Sequence, residues 1–584
     1  MMQFRKRAAL AAAAASLAVA AIPGAAHATA TPTFANGTLT VSGDATDDTI
    51  TLSAVGGQLA LNGTAVAGAN ADGSVDIVVE GADGRDVVDA AALAAAQYHS
   101  LTVHGGAGDD VITGGAGNDH LLGDDGNDRV IGFRGADHLE GGNGNDVLVW
   151  NNGDGTDVSD GDAGADTVEV NGSQTGNDQF TIKPNGQRVQ FDRISLNGAP
   201  AGNFGIDLTA ERVQVNGLGG DDDAIGSAGL APLTSLELNG GTGADHLVGG
   251  DGADVINGGD DNDSLDGAPG NDRVTGDRGT DRMHGGDGDD VLVWNNGDGT
   301  DDNQGDAGID TSEVNGAGQG DAFTIKPDGA RVRFDRTNLV PFGIDIATEA
   351  IQVNALGGDD TLSVAPGTGA LLALNANGGS GNDRLAGAEE ADTFFGGPGD
   401  DMLDGGPGVD LLDGQDGNDT LQARDGTGDL VRGGPGTDAA RTDAPGVDIV
   451  DGVESLDASA AAADKAQALK IGKAKLVRRN GSLVARIAVS CPTAAASGCT
   501  ATLSLTTAKP LRLRGVKVVA LLGTKKVTLN SGARSTVSIK LAKGAANLAR
   551  RRKLAVKATA VTTSKAGTAT ATRALTLRLP KTRA

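Results

Sequence analysis

Residues Gly105 to Val149 read, in successive nines, GGAGDDVIT, GGAGNDHLL, GDDGNDRVI, GFRGADHLE and GGNGNDVLV. Each nonapeptide opens on Gly, repeats Gly at its fourth place, and sets Asp at its sixth and an aliphatic residue at its eighth. A period held this strictly marks a repeat architecture in which every unit stacks on its neighbours. The aspartates of this first run are Asp110, Asp119, Asp128, Asp137 and Asp146, and the aliphatic places are Ile112, Leu121, Val130, Leu139 and Leu148.

The frame continues outward. If Trp150-Asn151 is a two-residue insertion, two further units follow with Asp157 and Asp166, so a first array spans residues 105–169. A second array, 240–313, holds six units with Asp245, Asp254, Asp263, Asp272, Asp281 and Asp290. It passes Trp294-Asn295 into units carrying Asp301 and Asp310. A third, 378–446, carries Asp383, Asp392, Asp401, Asp410 and Asp419, slips by one residue near Gly428, and recovers with Asp438. The pattern weakens at Phe133-Arg134, at Glu389-Glu390 and at that slip, where weak or empty sites are expected.

Between the arrays lie spacers at 29–104, 170–239 and 314–377, rich in short alternating runs that read as strands. The last two are copies: Phe180-Thr-Ile-Lys-Pro returns at Phe323, and Leu218-Gly-Gly-Asp-Asp at Leu356. After a linker at 447–465, strand-like runs between 466 and 584 have the spacing of a β-sandwich of immunoglobulin-like type. The expected fold is all-β: three parallel repeat arrays joined by β-rich spacers, with a sandwich at the end.

Composition shows why the period matters. With 93 Gly and only 11 Phe, 2 Trp and 1 Tyr in 584 residues, most of this length cannot build an ordinary core. Without its regularity the chain would read as disordered. The formal charge of −31 is unevenly spread, because Lys465 to Ala584 holds 26 Lys and Arg and no acid. That leaves 21 bases against 78 acids upstream, a net of −57. So acidic a segment repels nucleic acid and suits divalent cations. Two readings of the basic end stay open: it holds anionic cell-surface polymers or the chain's own acidic repeats, or it is a solvated basic surface.

Residues 1–28 have the parts of a secretory signal: Arg5-Lys6-Arg7, an apolar Ala8 to Ile22, and Ala26-His27-Ala28. No later run reaches the ~18 apolar residues of a membrane span. A secreted, extracellular protein is expected, with the closely spaced Cys491 and Cys499 joined as a disulfide.

The Gly-Gly-x-Gly-x-Asp nonapeptides resemble the RTX, or hemolysin-type, calcium-binding repeat. That resemblance implies a parallel β-roll in which two nonapeptides make one coil and repeats n and n+2 stack. It implies that the Asp residues named above ligate multiple Ca2+ ions, with Asp110 sharing an ion with Asp128, Asp119 with Asp137 and Asp128 with Asp146. Ca2+ favours six to eight hard oxygen ligands, which carbonyls and carboxylates supply. The histidines after Asp (His120, His138, His246) read as solvated, without the convergent spacing of a zinc site.

No HExxH, GxSxG or GxxxxGK[ST] motif occurs, and no cofactor other than calcium and no catalytic residue is expected. The leading expectation is therefore a non-enzymatic, calcium-binding structural or cell-surface adhesive protein. The alternative is an extracellular polysaccharide-acting enzyme, of lyase or epimerase type, with its active site in a β-helical spacer. Trp150 and Trp294 have two readings, packing at the insertion or a carbohydrate-stacking platform.

Ordering Gly-rich backbone costs about 1–2 kcal/mol per residue, and a single aliphatic side chain per unit returns about 1.5–3 kcal/mol. Carboxylate repulsion adds to the cost, so the cation is expected to drive folding. In chelator, residues 105–446 should be largely disordered, and millimolar calcium should fold them. Full β content in chelator, unchanged by calcium in circular dichroism, would contradict this.

Overall fold

The computed structural model describes residues 30–195, 204–369, 372–443 and 445–458, and strand segments between 470 and 577. The expected signal at 1–28 and the expected disulfide, through Cys491 and the side chain of Cys499, lie outside the described residues. Two compact units are present, Met1–Arg273 and Val274–Ala584. Both are all-β and mostly parallel solenoid, and the described helical structure is one 3-10 turn, Ala95–Gln97. Among the described residues no helix is long and apolar enough to cross a membrane.

The nonapeptide sets the coil. Val130 on Arg129–Ile131 pairs in parallel with Ile112 on one side and Leu148 on the other, each 18 residues away. On the opposite sheet, Leu121 of Asp119–Asp125 sits between Val103 and Leu139 at the same spacing. Two nonapeptides thus make one coil. Strands alternate side chains in and out, which buries Ile112, Val130 and Leu148 in one file and Leu121 and Leu139 in the file of the opposite sheet. Past Trp150-Asn151 the offset becomes 20, as in Leu148 with Val168, so the insertion widens one turn and leaves the register intact.

The spacers do not interrupt the sheets. In the first unit Asp76–Asp83 pairs in parallel with Thr38–Ser42 and Ser100–Ala107. Arg212–Gly219 likewise lies between Thr167–Asn171 and Ser235–Thr242. The division into arrays and spacers is thus a division of the sequence and not of the sheet. The spacers differ in carrying antiparallel excursions, such as Asp178–Asn185, Arg188–Ser195 and Phe204–Thr209. The second unit repeats this in Ala322–Asp328, Arg331–Arg336 and Phe342–Ala347.

These excursions bring Phe180, Phe191, Phe323, Phe334 and Phe342 into the interior, against the two tryptophans of the parallel strands Val147–Asn151 and Val291–Trp294. Trp150 is 2% exposed and Trp294 0%. Each donates its indole N–H to a turn carbonyl, Trp150 to Gly155 at 2.9 Å and Trp294 to Gly299 at 3.0 Å. Phe191 lies 6.2 Å from Trp150, and Phe342 stacks on Trp294 at 3.6 Å. Neither indole has a face free for a sugar ring, so the carbohydrate-platform reading fails and the packing reading stands. Along one edge of the first unit, the amides of Asn171, Asn216, Asn239 and Asn257 each donate to the Asn of the preceding coil, over 2.7–3.2 Å.

The basic end of the second unit forms antiparallel sheets. Lys470–Arg479, Ser482–Ser490 and Arg534–Lys540 make one, Cys499–Thr507, Leu521–Leu529, Leu554–Ser564 and Gly567–Leu577 a second, and Leu511–Leu513 with Val516–Val518 a two-stranded third. Ala485, Ile487, Leu503, Leu505 and Ile539 are buried within it.

Truncation of an aromatic this deeply buried costs about 3–5 kcal/mol. Trp294→Ala should lower unfolding free energy in calcium by about that amount, read from a urea midpoint. An unchanged midpoint would contradict the packing described here.

Candidate metal centre

Every aspartate singled out by the repeat frame is buried, from Asp110 to Asp438. The coil geometry brings them into ladders along the solenoid edges. Asp110 donates its backbone N–H to Asp128 Oδ1 at 2.7 Å, and Asp128 to Asp146 Oδ1 at 2.8 Å. Asp119 donates to Asp137 Oδ1, Asp137 to Asp157 Oδ1 and Asp146 to Asp166 Oδ1, each at 2.9 Å. In the second unit Asp383 bonds to Asp401, Asp401 to Asp419 and Asp419 to Asp438, over 2.8–2.9 Å. Residues paired by the frame as neighbours across coils are therefore neighbours in space.

One oxygen of each carboxylate is used in this way. The second, Oδ2, is buried with no hydrogen-bond partner in Asp110, Asp128, Asp137, Asp146, Asp157 and Asp166. The same holds for Asp245, Asp301, Asp310, Asp383, Asp401, Asp410, Asp419 and Asp438. A buried anionic oxygen with no donor is costly, and a file of them on successive coils calls for a proton on each or a cation beside them. The turn has no room for side chains. Gly144 has φ +147, and a Cβ there would run into the Gly126 carbonyl. A Cβ on Gly123 would strike Asp128 Oδ2. Carboxylate and carbonyl oxygens in a tight glycine cradle are the hard donor set that suits calcium. The residues present fit that ion.

Not all the predicted positions are equivalent. Asp119 has both oxygens engaged, Oδ1 by the Tyr98 hydroxyl at 2.8 Å and Oδ2 by the Gly115 N–H at 2.6 Å. Asp254 accepts from Leu236 N–H at 2.8 Å and Gly250 N–H at 2.7 Å. Asp392 Oδ2 accepts from Ala388 N–H at 3.0 Å, in the divergent Glu389-Glu390 unit. Each stands first on its edge of an array, and in each the backbone N–H four residues earlier, in the same turn, takes Oδ2. The frame alone made these three look like the rest.

Other ladder members lie in the spacers. Asp48 donates its N–H to Asp86 Oδ1 at 2.7 Å, Asp86 to Asp110 at 2.6 Å and Asp222 to Asp245 at 2.7 Å. Asp360 joins Asp383 at 2.8 Å, and Asp429, on the slipped turn, accepts from Asp410 at 3.0 Å. Asp86 had a legible signal, since Gly81, Gly84, Asp86 and Val88 keep the frame. Asp429 was hidden by the slip. Three ladders end on glutamate: Asp166 N–H meets Glu211 at 2.8 Å, Asp310 Glu349 at 3.1 Å and Asp438 Glu454 at 2.8 Å. No sequence period marks those. At the slip, Lys557 from Leu554–Ser564 donates Nζ–H to the Gly428 carbonyl at 3.4 Å. Burial lowers its pKa, and Asp429 and Asp448 oppose that shift.

Burial pushes several of the ladder carboxyls up, and neighbouring carboxylates add to it in Asp110, Asp137, Asp245 and Asp401. Asp110 is raised to about 7, with Asp128 and Asp86 as its charged neighbours. Asp137 is raised to about 8, Asp245 to about 7 and Asp401 to about 7. The backbone N–H of the preceding coil works against the shift in each.

The model for four copies of the RTX calcium-binding nonapeptide repeat matches the chain in overlapping windows over residues 102–148, 239–301 and 377–439. The chain thus carries RTX calcium-binding repeats in several regions. No curated protein matches it.

Raised carboxyl pKa values mean that the ion-free fold binds more protons than the unfolded chain, whose carboxyls titrate near 4. Their stabilising contribution is present in acid and is lost as pH rises through about 6 to 8. In chelator, β content should therefore be higher at pH 5.5 than at pH 8, and calcium binding near neutrality should release protons. A pH-independent spectrum in chelator, with no proton release in a pH-stat titration, would contradict this.

Proposed function

We propose that this is a secreted calcium-binding protein whose solenoid folds on Ca2+ and then serves a structural or cell-surface adhesive role. The observation that carries the calcium reading is the file of buried, unpartnered Oδ2 atoms on successive glycine turns, most of them within the stretches that match the calcium-binding repeat. Binding and folding are one event in this reading, because the turn that holds the ion is assembled only when coils stack. Extracellular calcium is the supply, and the leader-like composition of residues 1–28 supports that location. The three arrays are the loading segments of the solenoid.

The role is read as non-enzymatic. The abundant carboxylates already serve the ladders, which removes the need for catalytic acids to explain them. The basic sheets at 470–577 are read as an immunoglobulin-like sandwich that docks on the acidic coils, a reading supported by the Lys557 contact with Gly428. The remaining Lys and Arg then face anionic polymers of a cell surface.

Calcium titration of the full chain, with stoichiometry and β content read together, tests the proposal. Several ions should bind in step with the gain of β structure. Asp128→Asn, which removes the charge beside an unpartnered oxygen, should lower the stoichiometry. Asp119→Asn, whose oxygens are both engaged by protein donors, should leave it unchanged. Equal effects of the two, or no folding on calcium, would overturn the assignment. Loss of cell-surface retention on deleting residues 466–584 tests the adhesive part separately.

A further inference from the structure

We propose a second, chemically distinct metal site on the outer face of the first unit, formed by His120, His138 and Glu140 and suited to a borderline divalent ion such as Zn2+. His120 and His138 occupy the seventh place of nonapeptides one coil apart, so parallel pairing sets them side by side. Their rings stack at 4.9 Å with planes 6° apart. Glu140 lies two residues beyond His138 on the same strand, which returns its side chain to the same face. Its Oε1 stands 2.7 Å from His120 Nε2 and 3.6 Å from His138 Nδ1. One donor atom from each of the three lies within 4.8 Å of the others.

A second observation points to a metal. His138 turns its other nitrogen, Nε2, to Asp160 Oδ2 at 3.3 Å. Asp160 is itself fixed by Arg188 at 2.5 Å and by the Thr209 hydroxyl at 3.1 Å. A ring whose far nitrogen is held by an anchored carboxylate is the usual support of a metal-ligating histidine. The other described histidines have a simpler setting, each facing one carboxylate: His99 Asp76, His104 Asp124, His246 Asp223 and His284 Asp306. Convergence of two imidazoles on one carboxylate is confined, among the described residues, to this place.

The donor set separates this site from the ladders. Imidazole nitrogen suits Zn2+, Cu2+ or Ni2+, whereas Ca2+ takes oxygen. The rings are half-exposed, with 43% of each histidine side chain and 31% of Glu140 open to solvent. Small ring rotations can therefore close three ligands on one ion and leave a fourth position to water. Sequence spacing did not suggest this, because 18 residues separate the histidines and only the coil makes them neighbours.

The test uses the full chain, stripped of trace metals and saturated with calcium, with zinc as titrant. One zinc ion per chain should bind above any background retained by the double variant His120→Ala/His138→Ala. His138→Ala should weaken that site at least about tenfold and Glu140→Gln by a smaller factor, with His246→Ala unchanged. Cu2+ in the same site of the unaltered chain should show coupling to two nitrogens in electron paramagnetic resonance. Zinc binding that is equal in the parent and the double variant, or a copper spectrum without nitrogen coupling, would overturn the proposal. The site needs stacked coils, and hence rests on calcium-driven folding where that holds. Circular dichroism in the same buffer distinguishes a failure to fold from a failure to bind zinc.

Discussion

The structure depends on a single repeated interaction, the acceptance of one aspartate's backbone N–H by the carboxylate of an aspartate one coil away. Within the arrays it fixes Oδ1, and in members such as Asp110, Asp128 and Asp146 it leaves Oδ2 buried in a space that no protein donor enters. A hydrogen bond of this kind to a charged acceptor contributes about 1.5–3 kcal/mol, less than the cost of several stacked, buried carboxylates. The ladder is therefore half of an interaction whose other half is a cation. Glycine follows from the same constraint: stacked turns approach so closely that a Cβ on Gly144 has nowhere to go.

Because the ladder is made by one backbone group and one side chain, it tolerates changes in the length of a coil. Offsets of 18 for Asp110 and Asp128, 19 for Asp410 and Asp429, 20 for Asp146 and Asp166, and 44 for Asp178 and Asp222 all close the same bond. The excess residues leave as loops or antiparallel excursions, and the sheet register resumes behind them. In the duplicated spacers those excursions add aromatic rings that thicken an otherwise thin aliphatic core. The Trp150 and Trp294 insertions are of this kind, each folding an indole over its own turn.

Ladder ends follow a different rule. Where a coil has no glycine turn before it, protein donors replace the cation, as the Tyr98 hydroxyl and Gly115 N–H do for Asp119. Where no aspartate follows, a longer acid reaches back, as Glu211 does for Asp166. At the slipped turn, an amine from the basic sheets is the group that approaches, Lys557 at Gly428. All three solve the problem of ending a stack of buried charges.

The sequence by itself determined the coil. A period of nine with Asp at place six and an aliphatic at place eight dictates turn, strand, inward face and buried acid, and those residues are where the period puts them. It did not show which acids lack a partner, because that depends on what the neighbouring coil offers, 18 or more residues away. Asp119 and Asp128 are identical in frame and opposite in environment for that reason. Nor did it show that the spacers share the sheets, since strand pairing across an irregular loop leaves no period to read. The juxtaposition of His120, His138 and Glu140 was likewise invisible, and belongs to the tertiary structure: stacking converts a separation along the chain into a contact of a few ångströms across it.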